Sequence, residues 1–288
     1  MSFRLIARLD VKGPNLVKGV HLEGLRALGA PEAFAHRYYE HGIDELLYMD
    51  VVASLYGRNS LLDVVERTAR TTFVPLTVGG GLRSVDDIRA VLRAGADKVA
   101  LNTAALQNPE LIARAAKEFG SSTIVVSIEA IRRSDGVYEA FTDNGREHTG
   151  VEVVGWAIRA AELGAGEVMV TSVDREGTGK SFDLELVSAV SEAVPVPVIA
   201  GGGAGRAEDV VVAATEGHAD AAAVASVLHY DAVRDPSFVA TVSQSEGNDV
   251  FLQAPRTPRN IEPASVGRIR ELVLDAAIPT RSIGVPTS

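Results

Sequence analysis

Residues 74–84, VPLTVGGGLRS, return as VPVIAGGGAGR at residues 196–206, so that Gly79-Gly80-Gly81 falls on Gly201-Gly202-Gly203 at an offset of 122 residues. Each copy is a short apolar run, a glycine turn and the start of an amphipathic stretch, which is the outline of one strand-helix unit. The same offset carries GIDELLYMD (42–50) onto GAGEVMVTS (164–172), with Glu45 on Glu167. GADKVALNTA (95–104) maps onto HADAAAVASV (218–227) one residue further on. The period is far too long for a solenoid. It fits two half-barrels of four βα units each, related by a pseudo-twofold axis.

Outward from these copies, eight runs rich in Val, Ile, Leu and Thr read as buried parallel strands, near 4–10, 45–51, 74–79, 97–102, 122–129, 166–172, 196–201 and 220–227. Helices are predicted near 31–41, 60–70, 84–94, 108–119, 150–164, 183–193, 206–216 and 262–277. Ser84 with Asp87 resembles a capping box, and Asn108-Pro109 a helix start with proline at the first position. Eight such units predict one (β/α)8 TIM barrel spanning 1–288. Two connections are long. Segment 11–30 carries four glycines on the catalytic face and reads as a lid. Segment 231–261 is polar, with Pro236, Pro255 and Pro258, and reads either as a poorly ordered insertion or as a second cover.

The 288 residues carry a formal net charge of -10 and no cysteine. The acidic balance argues against nucleic acid or an anionic membrane as partner. A disulfide framework, a thiolate metal site and a cysteine nucleophile are excluded. The opening MSFRLIARLDVKG has no apolar run of signal-peptide type and no stretch is long enough to span a bilayer, so the expected location is the cytoplasm. There is no HExxH pattern, the six histidines do not cluster, and His229 reads as a solvated loop residue before a substrate contact. Without a Walker motif or a GxGxxG after the first strand, neither a metal nor a nucleotide cofactor is expected.

Strand parity places the candidate chemistry. Asp10 ends the first strand and Glu129 the fifth, so the pseudo-twofold sets them face to face at the mouth, where two carboxylates can serve as base and acid. Either is equally a strand-end residue that caps amides or pairs with a cation. A glycine run at a strand end exposes amides to an anion, and Gly81, Gly202 and Gly203 stand in two equivalent runs. Each is followed one strand later by small polar residues, Asn102-Thr103 and Ser226. Two such sites suit a ligand with a phosphate at each end. Lys18 in the lid is a candidate for a phosphate or oxyanion. At the opposite end, Arg4, Glu45, Lys98 and Glu167 start the first, second, fourth and sixth strands. They form either a stabilising ion-pair ring or a gate on a passage along the axis.

Taken together, IARLDVK, LVKGVHLEGLR, GIDELLYMDVVAS, PLTVGGGLRS, GADKVALNTAA, VSIEA, TDNGREHTG, MVTSVDREGT, IAGGGAG and ASVLHY resemble the cyclase subunit family of imidazole glycerol phosphate synthase, from Arg4 to Tyr230 and again in the last helix. The resemblance implies catalytic carboxylates at Asp10 and Glu129. It implies a two-phosphate substrate held through Lys18, Gly81, Asn102, Thr103, Asp174, Gly177, Gly202, Gly203 and Ser226. It also implies a separate glutaminase docked at the barrel bottom near Tyr38 and Asp97. Ammonia from that partner would pass a gate of Arg4, Glu45, Lys98 and Glu167. No cofactor is implied.

Two positions depart from the family pattern. Glu129 stands where Asp is usual, and Arg8 where a small residue is usual. The even number of Arg8 turns it inward between Arg4 and Asp10, and a buried guanidinium needs a carboxylate, either Glu129 or Asp10. These departures keep open a related role as an ammonia-channelling partner in amidation of a surface-glycan sugar. The lid and the bottom residues argue against the sugar isomerase of the same pathway. An inward acidic pair argues against a non-enzymatic binding barrel.

Overall fold

The computed structural model describes residues 2–51, 61–238, 240 and 259–281. Most of the long segment 231–261 falls outside them. Its opening residues continue a helix rather than forming a loop.

The strands are β1 Arg4–Lys12, β2 Asn15–Val20, β3 Glu23–Gly29, β4 Glu45–Asp50, β5 Leu76–Gly79, β6 Lys98–Leu101, β7 Ile124–Arg132, β8 Tyr138–Thr142, β9 Glu147–Glu152, β10 Glu167–Ser172, β11 Val198–Gly201 and β12 Ala221–Val224. The helices are α1 Pro31–Glu40, α2 Leu62–Ala69, α3 Val85–Arg93, α4 Thr103–Gln107, α5 Glu110–Phe119, α6 Val153–Glu162, α7 Leu184–Ala193, α8 Glu208–Thr215, α9 Ser226–Arg234 and α10 Val266–Asp275. Strands β1, β4, β5, β6, β7, β10, β11 and β12 pair in parallel in that order, and β12 returns to β1. The chain is therefore a closed (β/α)8 barrel.

Period-two alternation sorts the core into two layers. Leu5, Ala7 and Leu9 of β1 face outward into the large cluster between barrel and helices. Ile6 faces inward with Leu47, Ala100, Val125, Met169, Ile199, Ala221 and Ala223, filling the lumen. Each fully buried Leu or Ile contributes about 1.5–3 kcal/mol, so inward or outward placement is strongly fixed once the register is set.

The internal repeat is kept down to single hydrogen bonds. Asp97 Oδ2 accepts the Leu76 amide at 2.9 Å, and Asp220 Oδ2 accepts the Val198 amide at 2.9 Å. Asp87 takes the amides of Arg83 and Ser84 at 3.0 and 2.9 Å. Asp209 takes those of Gly205 and Arg206 at 2.7 and 3.0 Å. Ser84 and Asp87 do form a capping box. Asn108, read as a cap, makes no side-chain cap bond; the chain turns helical at Pro109 instead.

Two hairpins stand where the sequence suggested none. Segment 11–30 is not an open loop, because β1 runs on to Lys12 and pairs antiparallel with β2, which pairs with β3. The turn His21-Leu22 has φ of +51° and +60°, a left-handed pair that strains non-glycine residues. Burial of Leu22 and a 2.8 Å bond from the His21 amide to the Glu176 carbonyl hold it. At the matching place β7 extends into an antiparallel ribbon with β8 and β9. The helix predicted from 150 accordingly begins at Val153, with Glu152 as its cap. The last helix closes the bottom, where Arg270 bonds Asp44 at 2.8 Å and Asp44 accepts the Leu5 amide at 2.8 Å.

Candidate active site

Parity within regular strands carries Arg4, Ile6, Arg8 and Asp10 into the lumen in turn, from the bottom of the barrel to its mouth. Asp10 sits on β1 and Glu129 on β7, four strands apart in either direction round the barrel. Both are buried. Their partners differ. Asp10 Oδ1 pairs with Arg8 Nε at 2.9 Å, while Glu129 Oε2 accepts the Gly145 amide at 2.8 Å. Arg8 points inward, and its Nη1 also donates to Thr171 Oγ1 at 3.2 Å. Of the two partners open to it, Arg8 takes Asp10 on its own strand. Burial pushes the Glu129 carboxyl up to about 7; the Gly145 amide and the nearby Arg8 pull the other way without cancelling it.

The mouth holds a second ion pair that the sequence did not reveal. Lys18, expected to reach for an anion, is 5% exposed and pairs with Glu176. The hairpin brings it there. A Cβ on Gly177 would lie 2.4 Å from the Gly19 carbonyl, so β2 can rest on that loop only because residue 177 is glycine. Burial alone would raise Glu176, but Lys18 and Arg8 outweigh it and hold the carboxyl below its ordinary value. Asp174, the carboxylate singled out by sequence, turns away from the lumen. It is exposed and caps the Arg132 amide at 2.9 Å, whereas Glu176 faces the lumen. Both lie in the turn after β10, where strand parity no longer says which way a side chain points.

Two pockets open on opposite sides of this cluster. One runs from Glu129 past Asn102 and Thr103 to Gly80, Gly81 and Arg83. The Asn102 Oδ1 is buried there without a hydrogen-bond partner. The other is lined by Lys18, Gly177, Ser226, Tyr230, Arg26 and Arg259. Helices α4 and α9 start at these pockets, after matching kinks at Asn102 (φ -126°, ψ -91°) and Ala225 (φ -120°, ψ -78°). Gly202 and Gly203 are demanded first by packing. Side chains there would lie 2.6 Å from the Ser172 carbonyl and 2.2 Å from that of Ser181, at φ of +82° and +109°. Among the described residues no group of three or more His, Asp or Glu is placed to hold a metal ion.

At the bottom, Arg4 meets Glu45 at 2.8 Å and Glu167 at 2.9 Å, and Lys98 meets the same two at 3.1 and 2.6 Å. The four side chains make a closed ring across the barrel entrance. Burial would raise Glu167, but Arg4 and Lys98 hold it below its usual value. Asp97 is exposed at this end. Tyr38 is not, because its hydroxyl turns inward to His229 Nδ1 at 2.6 Å with the rings stacked. His229 is likewise no solvated loop residue. It lies in α9, fully buried, and burial together with the nearby Lys18 pushes it down to about 3, so it is neutral.

Carboxylates at the C-terminal mouth of a closed (β/α)8 barrel, between paired glycine turns, define an enzyme of the barrel class. A model of the family described as histidine biosynthesis protein matches residues 4–234, and the chain belongs to that family. Its relatives include the imidazole glycerol phosphate synthase subunit HisF of Legionella pneumophila, 61% identical over 208 residues, which cover 72% of this chain and 98% of that protein. The protein of the same name from Alkaliphilus metalliredigens (strain QYMF) is 47% identical over 233 residues, covering 81% of this chain and 92% of that protein. Among the described residues no helix is long and apolar enough to cross a membrane.

Proposed function

We propose that this chain is the cyclase subunit of a glutamine-dependent imidazole glycerol phosphate synthase in histidine biosynthesis, acting in the cytoplasm as a single barrel domain. The observation that carries the reading is the facing pair Asp10 and Glu129 between two equivalent pockets, in a chain 61% identical to a protein of that name. The substrate is the ribulosyl aminoimidazole carboxamide nucleotide, with one phosphate in each pocket. Ammonia adds to it, the imidazole ring closes, and imidazole glycerol phosphate and the aminoimidazole carboxamide ribotide leave.

Asp10 is the base that takes a proton from the incoming nitrogen. Glu129, raised to about 7, still carries its proton near neutrality and is suited to give it up. Gly81, Asn102 and Thr103 serve one phosphate and Gly177, Gly203 and Ser226 the other. Lys18 reaches the second only after parting from Glu176. A glutaminase subunit docks at the barrel bottom, and the ring of Arg4, Glu45, Lys98 and Glu167 gates the entry of ammonia.

The test is a steady-state assay of the purified chain with this substrate and excess ammonium at mildly alkaline pH, following substrate loss. Turnover that vanishes in Asp10→Asn supports the reading. A folded chain that binds the substrate without converting it overturns the reading.

A further inference from the structure

Arg8 has no part in the reaction as outlined, yet it stands at its centre. Its Nε holds Asp10 at 2.9 Å, and its Nη1 crosses the lumen to Thr171 on β10, three strands round the barrel from β1. Glu129 receives no such bond and is held by a neutral amide. Two carboxylates that face each other by position are thus unequal by partner.

We propose that Arg8 is a positioning residue that divides the work between them: its bonds to Asp10 and Thr171 hold the Asp10 carboxylate in the aim of a base, and leave Glu129, which has no such bond, as the proton donor. The assignment rests on the cyclase reading above. A guanidinium does not give up its own proton, so a fixed Arg holds a carboxylate in place without exchanging a proton with it. The Thr171 bond fixes the guanidinium so that its Nε stays on Asp10. Among the described residues, the other charged or titratable groups at the cluster include Lys18 from β2, Asp50 from β4, Glu176 from the turn after β10, Asp143 from the turn between β8 and β9, and His229 from α9. Lys18 is taken by Glu176 and His229 is neutral, so Arg8 is the cation that meets Asp10. The rise of Glu129 to about 7 agrees with this division.

The experiment is a crystal structure and a measurement of kcat and KM in the ammonium assay for the full chain, for Arg8→Gln and for Arg8→Lys. In Arg8→Gln the Asp10 carboxylate leaves the position it holds in the native chain, and kcat falls by about 100-fold with little change in KM. Arg8→Lys recovers part of the loss.

An Asp10 carboxylate unmoved in Arg8→Gln overturns the proposal whatever the turnover. If that variant does not fold, Thr171→Val decides: a fall in kcat at unchanged KM supports the proposal, and a kcat equal to that of the native chain overturns it. A displaced Asp10 in Arg8→Gln, with no cyclase turnover in the native chain, overturns the reaction reading and supports the positioning role of Arg8.

Discussion

The two ends of the lumen hold charge in different ways. At the bottom, two cations meet two carboxylates, and each cation touches both. At the mouth, among the described residues, Arg8 pairs with Asp10 and Lys18 with Glu176, while Glu129 is held by the Gly145 amide, all of them buried. At the bottom, Arg4 and Lys98 hold Glu167 below its ordinary value. At the mouth, burial pushes Glu129 up to about 7. A carboxylate bonded to cations keeps its charge, whereas a buried surplus carboxyl, one with no cation bonded to it, holds its proton nearer working pH. On the proposed function the same residue types serve structure at one end and acid-base chemistry at the other, and the partner that each carboxyl meets decides which.

The largest expected effect breaks the mouth. Asp10→Asn should lower kcat/KM by about 10²–10⁴, measured in the ammonium assay with a melting curve to show that the chain still folds. If Asn is tolerated within a few-fold, Asp10 is not the base and the contrast between the two ends falls.

Next comes the surplus carboxyl. The folded value of Glu129 lies above its unfolded one, so the native state holds the proton longer. Its contribution to stability is complete below about pH 4.3, declines as pH rises, and is gone above about pH 7, a swing of about 2–4 kcal/mol. Glu129→Gln should therefore be more stable than the native chain at about pH 8 and no more stable at about pH 4. Equal denaturation midpoints at the higher pH would remove the surplus from the account.

The bottom ring has the opposite sign. The depressed Glu167 contributes stability above its unfolded value of about 4.3 and loses it as pH falls through the folded value. Glu167→Gln should cost about 2 kcal/mol near neutrality, less than for a fully buried pair because Arg4 and Lys98 keep some access to water. Urea unfolding of the variant in low and high salt would show it, and a loss well below that figure would mean the ring is not structural.

The smallest effect sharpens the mouth further. Thr171→Val removes the neutral end of the Arg8 crossing and should cost about 1 kcal/mol. In the ammonium assay kcat should fall slightly, in the same direction as in Arg8→Gln.

Much of this was open to reading along the chain. The offset of 122 residues showed the half-barrels because each βα unit must present the same strand, glycine turn and helix start. Even numbering turned Arg4, Arg8 and Asp10 inward because the alternation of a regular strand is fixed by the backbone. Glu45, Lys98 and Glu167 were placed with Arg4 by their positions at the starts of strands.

Past the ends of the strands that rule has no hold. Asp174 and Glu176 stand two residues apart in one turn, yet one caps the exposed Arg132 amide and the other pairs with Lys18 in the lumen. Backbone dihedrals and the docked hairpin made that choice. The hairpins themselves escaped notice because segment 11–30 pairs through the extension of β1, and segment 138–152 through that of β7, both contacts made by backbone rather than by apolar pattern. Tyr38 and His229 lie 191 residues apart and bury their polar atoms against each other, which neither local sequence announces. By itself, then, the sequence determined the barrel, its repeat and the inward positions on its strands, because these follow from local periodicity. Only the tertiary structure decided which buried charges meet and which carboxyl is held by an amide instead, because partnership in a buried lumen depends on where distant segments close together.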